Sequence, residues 1–339
     1  MAISYNIVDL RGKAAADINE EILFENGTIA NDLVTFETDV KNEIIFTEGA
    51  VTSAMQAYTS GAPSASGSID LFDVSISPYK YMFYDEFDPN TLRPSRFKRD
   101  MKSGAWNTLS TEFEQVVIGG LYSKNISYDV EYQYWNGVTS ATKTAIAALT
   151  PGTAQASVGA AEQSWVAART AGLFNGVVVS MIYNSWNSSL SAAVGGRYKV
   201  AGTTVTSSNI YTEVNKVYAA ASPALLADTK KNTYIYVPHA YKQLINIYNS
   251  TPTNYLKPFL VNNGKYFFND VEIKFVPLAG DVMILAPKQH IFWCTDLVSD
   301  VNEMKVDKIA NNQDKMFIKN VATIAPYVGQ QSFNVLYIG

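Results

Sequence analysis

The N-terminal quarter of this chain offers almost nothing that could bury itself, and that limits every fold the remaining residues can adopt. Residues 1–50 hold ten acidic and three basic side chains, a net of −7, with no sustained helical apolar face. Such a segment reads as an extended arm that becomes ordered only against a partner surface. Residues 43–47 then turn to strand chemistry, and residues 61–67, Gly-Ala-Pro-Ser-Ala-Ser-Gly, form a turn-rich tip. Ile69, Leu71, Val74 and Ile76 mark an alternating return. The pattern predicts a long two-stranded excursion. A lone hairpin is marginal in water, so it too demands a neighbour.

The rest of the 339 residues can fold conventionally. Hydrophobic residues make up 47% and aromatics 12%, which excludes a disordered chain. The length corresponds to about two domains, burying roughly three-quarters of the surface exposed on unfolding. Twenty-six basic against 31 acidic residues gives −5, which argues against a general nucleic-acid binder. Cys294 is the single cysteine, so no intramolecular disulfide can form. His239 and His290 are too few for a histidine metal site or a conventional triad. The first residues carry no apolar stretch of the secretory kind, and no run reaches the ~18 apolar residues of a membrane span. The longest candidate, 165–183, is interrupted by Arg169 and Asn175. A soluble protein folding in a reducing cytoplasm is expected.

Two helices should follow the hairpin. Asp88 and Pro89 supply an N-cap and a first-turn proline for a segment running to about residue 103. It carries Arg93, Arg96, Lys98, Arg99 and Lys102 against Asp100, a net of +4. Thr111 and Glu114 form a capping box opening a second helix that closes at Asn136–Gly137. About 25 helical residues would make a rod of roughly 37 Å. Residues 138–207 hold one acid, Glu162, and four bases. Within them 160–184 reads as one buried helix, and 210–226 as another. From 233 the pattern becomes α/β: a strand at 233–237, a helix at 239–249, a hairpin at 266–277 turning at Asn269-Asp270, and a strand at 282–286. Strands near 303–308, 315–321 and 332–338 have no adjacent helix and should pack against the long helices. The expectation is α+β, built from discontinuous segments, with a second α/β domain inserted at about 230–300.

Chemistry is sparse. His290 and Cys294 lie four apart in a strand-like aromatic run, which suits packing rather than a reactive thiol. His239, after Pro238, suits a helix start. Asp85, Glu86 and Asp88 suit capping of the next helix. No phosphate-binding glycine motif occurs. The basic set at 93–102 reads as a solvated face, as a docking surface for the acidic arm of another copy, with Asp32, Glu37 and Asp39 the acidic candidates, or as a DNA contact. No catalytic, cofactor or metal residues are expected.

The order of elements resembles the major capsid protein of tailed bacteriophages, the Hong Kong 97-type fold shared with encapsulins. The resemblance is carried by residues 74–84, by Tyr134, Trp135, Asn136 and Gly137, by 231–238, and above all by 269–278, 282–287 and 291–296. It implies an N-terminal arm (1–42), an extended E-loop (43–84), a peripheral domain (85–229 and 301–339) with a spine helix at 111–136, and an axial domain (230–300). It further implies hexamers and pentamers closing an icosahedral or prolate shell around double-stranded DNA, without sequence-specific binding and without a membrane. Assembly would take place in the host bacterial cytoplasm, with a portal, a separate scaffolding protein and decoration proteins as partners. Residues 43–79 contain no lysine and Lys80 lies at the loop's base, so covalent cross-linking through the loop is not expected. An encapsulin shell around a protein cargo is the alternative. A monomeric hydrolase using Cys294 or the 85–88 carboxylates is a third reading, from another class.

Overall fold

The computed structural model describes residues 27–51, 55–62, 64, 67, 69–88, 123–152, 157–182, 198–227, 232–251, 257–296, 305–309, 315–329 and 333–339. They fall into two compact units, the described parts of Met1–Lys41, Pro78–Tyr134 and Trp293–Ala325, and of Asn42–Ser77, Trp135–Phe292 and Pro326–Gly339.

In the first unit, strands β1 (Thr35–Glu37), β4 (Tyr79–Phe87), β11 (Ile291–Cys294), β12 (Lys305–Lys308) and β13 (Met316–Val328) form one sheet in the order β1-β11-β13-β12, with β4 also on β13. The β4–β13 ladder is antiparallel and runs nine residue pairs, from Phe87↔Met316 to Tyr79↔Ile324. Residues 74–84 are therefore divided between two strands, β4 and the strand Ile69–Ile76. The chain leaves the hairpin at Ser77–Pro78, where proline cannot donate to a ladder, and begins a new strand in another sheet. The helix Ser123–Asn136 buries Ile126, Val130 and Tyr134, the last stacked on Trp293 at 4.2 Å. It stops at Asn136 as the sequence indicates; residues 111–122 and the basic segment 93–102 lie outside the described residues.

The second unit is built on a seven-stranded sheet. Its strands β5 (Tyr198–Ala201), β6 (Thr233–Pro238), β7 (Phe259–Asn262), β8 (Lys265–Phe268), β9 (Val271–Val276), β10 (Val282–Pro287) and β14 (Val335–Ile338) are ordered β5-β14-β10-β6-β9-β8-β7. Pairing is parallel at β5–β14 and β6–β9 and antiparallel elsewhere. The helices Ile210–Ala219 and Tyr241–Ser250 place Val214, Val217 and Ile245 in one apolar cluster with Ile235, Val237, Met283, Leu285 and Tyr337. The Asn269-Asp270 turn forms with both φ angles positive, 44° and 69°, as a two-residue type I′ connection requires. A second such turn, Asn263-Gly264, joins β7 to β8 and was not anticipated.

Three expectations change. The stretch 160–184 is broken: helices Ala160–Ala167 and Val177–Ile182 flank a loop whose Gly172 and Gly176 amides donate to Val138 and Gly137 carbonyls at 2.7 and 2.8 Å. The helix at 210–226 is likewise two, because Pro223 starts a new one (Pro223–Ala227). The last strand, β14, leaves the other C-terminal strands and pairs with β5 and β10.

Candidate assembly surfaces

The hairpin of β2 (Ile44–Val51) and β3 (Ile69–Ile76) shows how the sequence divides its two faces. The ladder pairs Ile44 with Ile76 and Phe46 with Val74, and these residues, with Glu48, point inward. Phe46 stacks on Tyr327 at 4.4 Å and tilts against Phe292 at 4.7 Å, while the Tyr327 hydroxyl donates to Glu48. Gly329 borders this root; a Cβ there would sit 3.3 Å from Glu48 Oε1. On the opposite face, the Thr47 hydroxyl donates to Asp73 Oδ1 at 2.6 Å and the Ser75 hydroxyl to Glu43. Ile45 and Leu71 share that face, 60% and 68% exposed. Towards the tip, Met55 and Tyr58 reach 87% and 93%. One face is satisfied by the chain's own aromatics; the other faces water, with Ile45 and Leu71 set among the hydrogen-bonded Thr47–Asp73 and Ser75–Glu43 pairs.

The acidic candidates occupy a segment held more firmly than an arm. Thr28 is fully buried and donates both its amide (2.7 Å) and its hydroxyl to the buried Glu131 carboxylate. Leu33, Val34 and Val40 are buried, β1 lies in the sheet beside β11, and the Val40 amide donates to the Thr295 carbonyl. Residues 28–40 therefore pack within their own chain, a correction to the expectation that this stretch needs a neighbour. Asp32 is exposed at φ 53°, Glu37 is half-buried in β1, and Asp39 pairs with Lys41 at 3.5 Å on the surface. Their proposed counterparts Arg93, Arg96, Lys98, Arg99 and Lys102 lie outside the described residues.

The residues considered for catalysis are dispersed into structural roles. Asp85 and Glu86 lie in β4 rather than at a helix start, with Glu86 accepting from the Tyr84 hydroxyl at 2.8 Å. His290 is buried in a short turn, its Nδ1 2.9 Å from Asn334 Oδ1. His239 is exposed just ahead of the helix Tyr241–Ser250. Burial, reinforced by the Glu37 carboxylate, pushes the Cys294 thiol up to about 12, where it is no nucleophile at neutral pH. Among the described residues, no three His, Cys, Asp or Glu side chains gather to hold a metal, and no helix is long and apolar enough to cross a membrane.

Sequence reasoning missed one charged cluster. Glu213 is buried, yet it accepts from Lys216 Nζ at 2.8 Å, from the Tyr337 hydroxyl at 2.6 Å and from the Thr203 hydroxyl at 3.2 Å. Burial works to raise its pKa, but these hydrogen bonds together hold it below the ordinary value. The Glu213–Lys216 spacing is visible in the sequence; Tyr337, 124 residues away, is not. The cluster fastens the C-terminal strand to the helix above it.

No family model matches the sequence, and no curated protein matches it either. Solved structures do. The chain is similar over its full length to a protein of the satellite phage P4 procapsid that includes the size determination (Sid) protein, at 11% identity and TM-score 0.52, covering 92% of that chain. It is similar in the same way to the capsid of an empty GTA particle (7%, 0.53, 94% of that chain) and to Microbacterium phage Oxtober96 (10%, 0.52, 93%). The chain has the α+β fold of phage capsid proteins, as its element order implied.

Proposed function

We propose that this chain is the major capsid protein of a tailed bacteriophage, a structural subunit that assembles as hexamers and pentamers into an icosahedral or prolate shell around double-stranded DNA. The observation that carries this reading is the whole-length likeness to capsid structures. The hairpin supports it: a subunit that leaves Ile45, Leu71, Met55 and Tyr58 in water along one hairpin offers apolar groups for other copies to cover. A net charge of −5 suits a container that must not adhere tightly to the genome it encloses. In this reading the arm is residues 1–42 and the E-loop 43–84. The peripheral domain comprises 85–229 and 301–339, and the axial domain, 230–300, meets its copies around the hexamer and pentamer axes. A portal, a separate scaffolding protein and decoration proteins are the remaining partners. The virion is the location, with assembly in the host cytoplasm. Cys294, with its thiol near 12, gives the hydrolase reading no support, and the encapsulin reading gains none from these neighbours.

Docking of Asp32, Glu37 and Asp39 on the basic segment of a neighbour belongs to the same proposal. Each exposed ion pair contributes only roughly 0–1 kcal/mol, but symmetry repeats the contact in every subunit. Charge reversal at Arg93, Arg96 and Arg99 is expected to lower particle yield; unchanged yield and shell stability would sink that contact. The function itself is tested by expressing the chain alone and with its genomic neighbours, followed by light scattering and negative-stain microscopy. Closed shells, or capsomers that close when scaffold is supplied, are expected. A monomer under every condition overturns the reading, and a DNA-free shell filled with a protein cargo would favour the encapsulin.

A further inference from the structure

We infer that the cleft at the root of the hairpin binds a small organic cation, a primary ammonium on a short apolar stem, whose presence ties the hairpin to the domain it springs from, independently of whether the chain builds a shell. Phe46, Phe292 and Tyr327 wall a cleft of about 320 Å³, and Glu48 and His290 also line it. That volume lies at the lower end of small-molecule sites and suits a compact ligand rather than a segment of another protein. Phe46 and Glu48 come from β2, whereas the opposite wall comes from residues 289–292 and 327–329. A ligand that touches both walls binds only the closed root and stabilises it by mass action.

Charge and shape select the class of ligand. With histidine counted neutral, Glu48 carries the only formal charge in the lining. Its carboxylate is half-buried and accepts from the Tyr327 hydroxyl, and His290 Nδ1 lies 2.9 Å from Asn334 Oδ1. An anion would meet a carboxylate and no fixed cation. A calcium-like ion takes about six to eight oxygens, and one carboxylate among aromatic rings does not supply them. Gly329 marks where the walls converge. A point one bond out from its Cα lies 3.3 Å from Glu48 Oε1, 3.4 Å from Tyr327 Cε1 and 3.7 Å from Phe292 Cε2. An ammonium at that end of the cleft hydrogen-bonds the carboxylate, while the neighbouring rings attract its charge and cover its methylenes. The larger cleft along the helix Tyr241–Ser250 has neither a carboxylate nor a phenyl or phenol ring in its lining, and carries Lys242 instead.

The test follows amide hydrogen exchange of the full chain in n-butylammonium chloride, against equal concentrations of sodium chloride and of 1-butanol. Saturable slowing within 44–48 and 327–329 is expected with n-butylammonium and none with sodium. The alcohol keeps the stem but lacks the charge, and should bind about tenfold more weakly. Glu48→Gln should weaken the n-butylammonium effect by about the same factor. Because that change also touches the hydrogen bond from Tyr327, Gly329→Ala gives a second reading. It puts a methyl group at the point of convergence, leaves the carboxylate in place, and should abolish the slowing. Exchange of 44–48 without ligand shows whether the root still forms in each variant. Equal slowing by sodium or by 1-butanol, slowing that survives both substitutions, or no slowing in the unmodified chain would overturn the inference and leave the capsid reading standing.

Discussion

The seven-stranded sheet and the β2–β3 hairpin are made by the same rule and end in opposite states. In both, apolar residues give the strands sides that seek cover, alternating with polar ones in β3 and running continuously in β10 and β14. In the sheet, cover comes from the chain itself: β10 is buried at all six positions, with Val214, Val217 and Ile245 packed over one of its faces. In the hairpin, the chain covers only the face bearing Phe46 and Glu48 and leaves Ile45 and Leu71 in water. The difference is one of topology. A sheet that takes strands from residues 198 to 338 gathers helices on the way, whereas a hairpin that leaves and returns within 33 residues gathers nothing but its own root.

Removing a side chain from the self-covered region should have the largest effect. Trp135 is completely buried, packed against Tyr236 at 5.4 Å, and Trp135→Ala is expected to destabilise the folded subunit by about 3–5 kcal/mol, read by chemical denaturation. Next comes Glu213→Gln, at about 1–3 kcal/mol, because the Lys216 ammonium loses its counter-charge and the carboxylate hydrogen bonds weaken. The pH dependence follows from the sign of the shift. A carboxyl held below its ordinary 4.5 contributes stability that is present above that value and is lost as pH falls through the folded value. Wild-type stability should thus fall below about pH 4.5 by more than that of Glu213→Gln. If the two lose stability in parallel, the buried charge is not what fastens the C-terminal strand.

The hairpin should respond less in the subunit and more in the particle. Tyr327→Phe removes one hydrogen bond to Glu48, about 1 kcal/mol, and should accelerate amide exchange in 44–48 with little change elsewhere. Ile45→Ser with Leu71→Ser should change subunit stability by no more than about 0.5 kcal/mol, as surface substitutions do, while reducing particle yield. A large loss of subunit stability would show that the outer face is already covered within one chain, and the contrast between the two regions would collapse.

Local chemistry made much of this legible. Asn269-Asp270 between apolar runs announced its hairpin, and Ile69, Leu71, Val74 and Ile76 announced β3. Asn263-Gly264 carried the same signal and went unread because the strand before it, Phe259–Asn262, is only four residues long. Pro223 and the Gly172–Gly176 stretch break helices in the ordinary way, but apolar runs on both sides hid the interruptions. The segment 28–40 misled through its charges: Asp32 and Asp39 are exposed and Glu37 half-buried, while Leu33, Val34 and Val40 do the packing. Of the candidate catalytic residues, Cys294 and His290 are buried, His239 is exposed, and Asp85 and Glu86 lie in β4.

The sequence by itself determined where the hairpin of 43–76 and the strands of 233–237, 266–277 and 282–286 lie, and that one cysteine forms no intramolecular disulfide, because those depend on side-chain period, backbone preference and residue inventory. Only the tertiary structure decided which strands share a sheet, that β14 enters between β5 and β10, that Thr28 reaches Glu131, and that Glu213 is held by Tyr337. The physical reason is that an apolar strand pairs equally well, residue for residue, with any other apolar strand. The choice among them is made by the burial of the whole chain, across separations of more than a hundred residues, which no local pattern records.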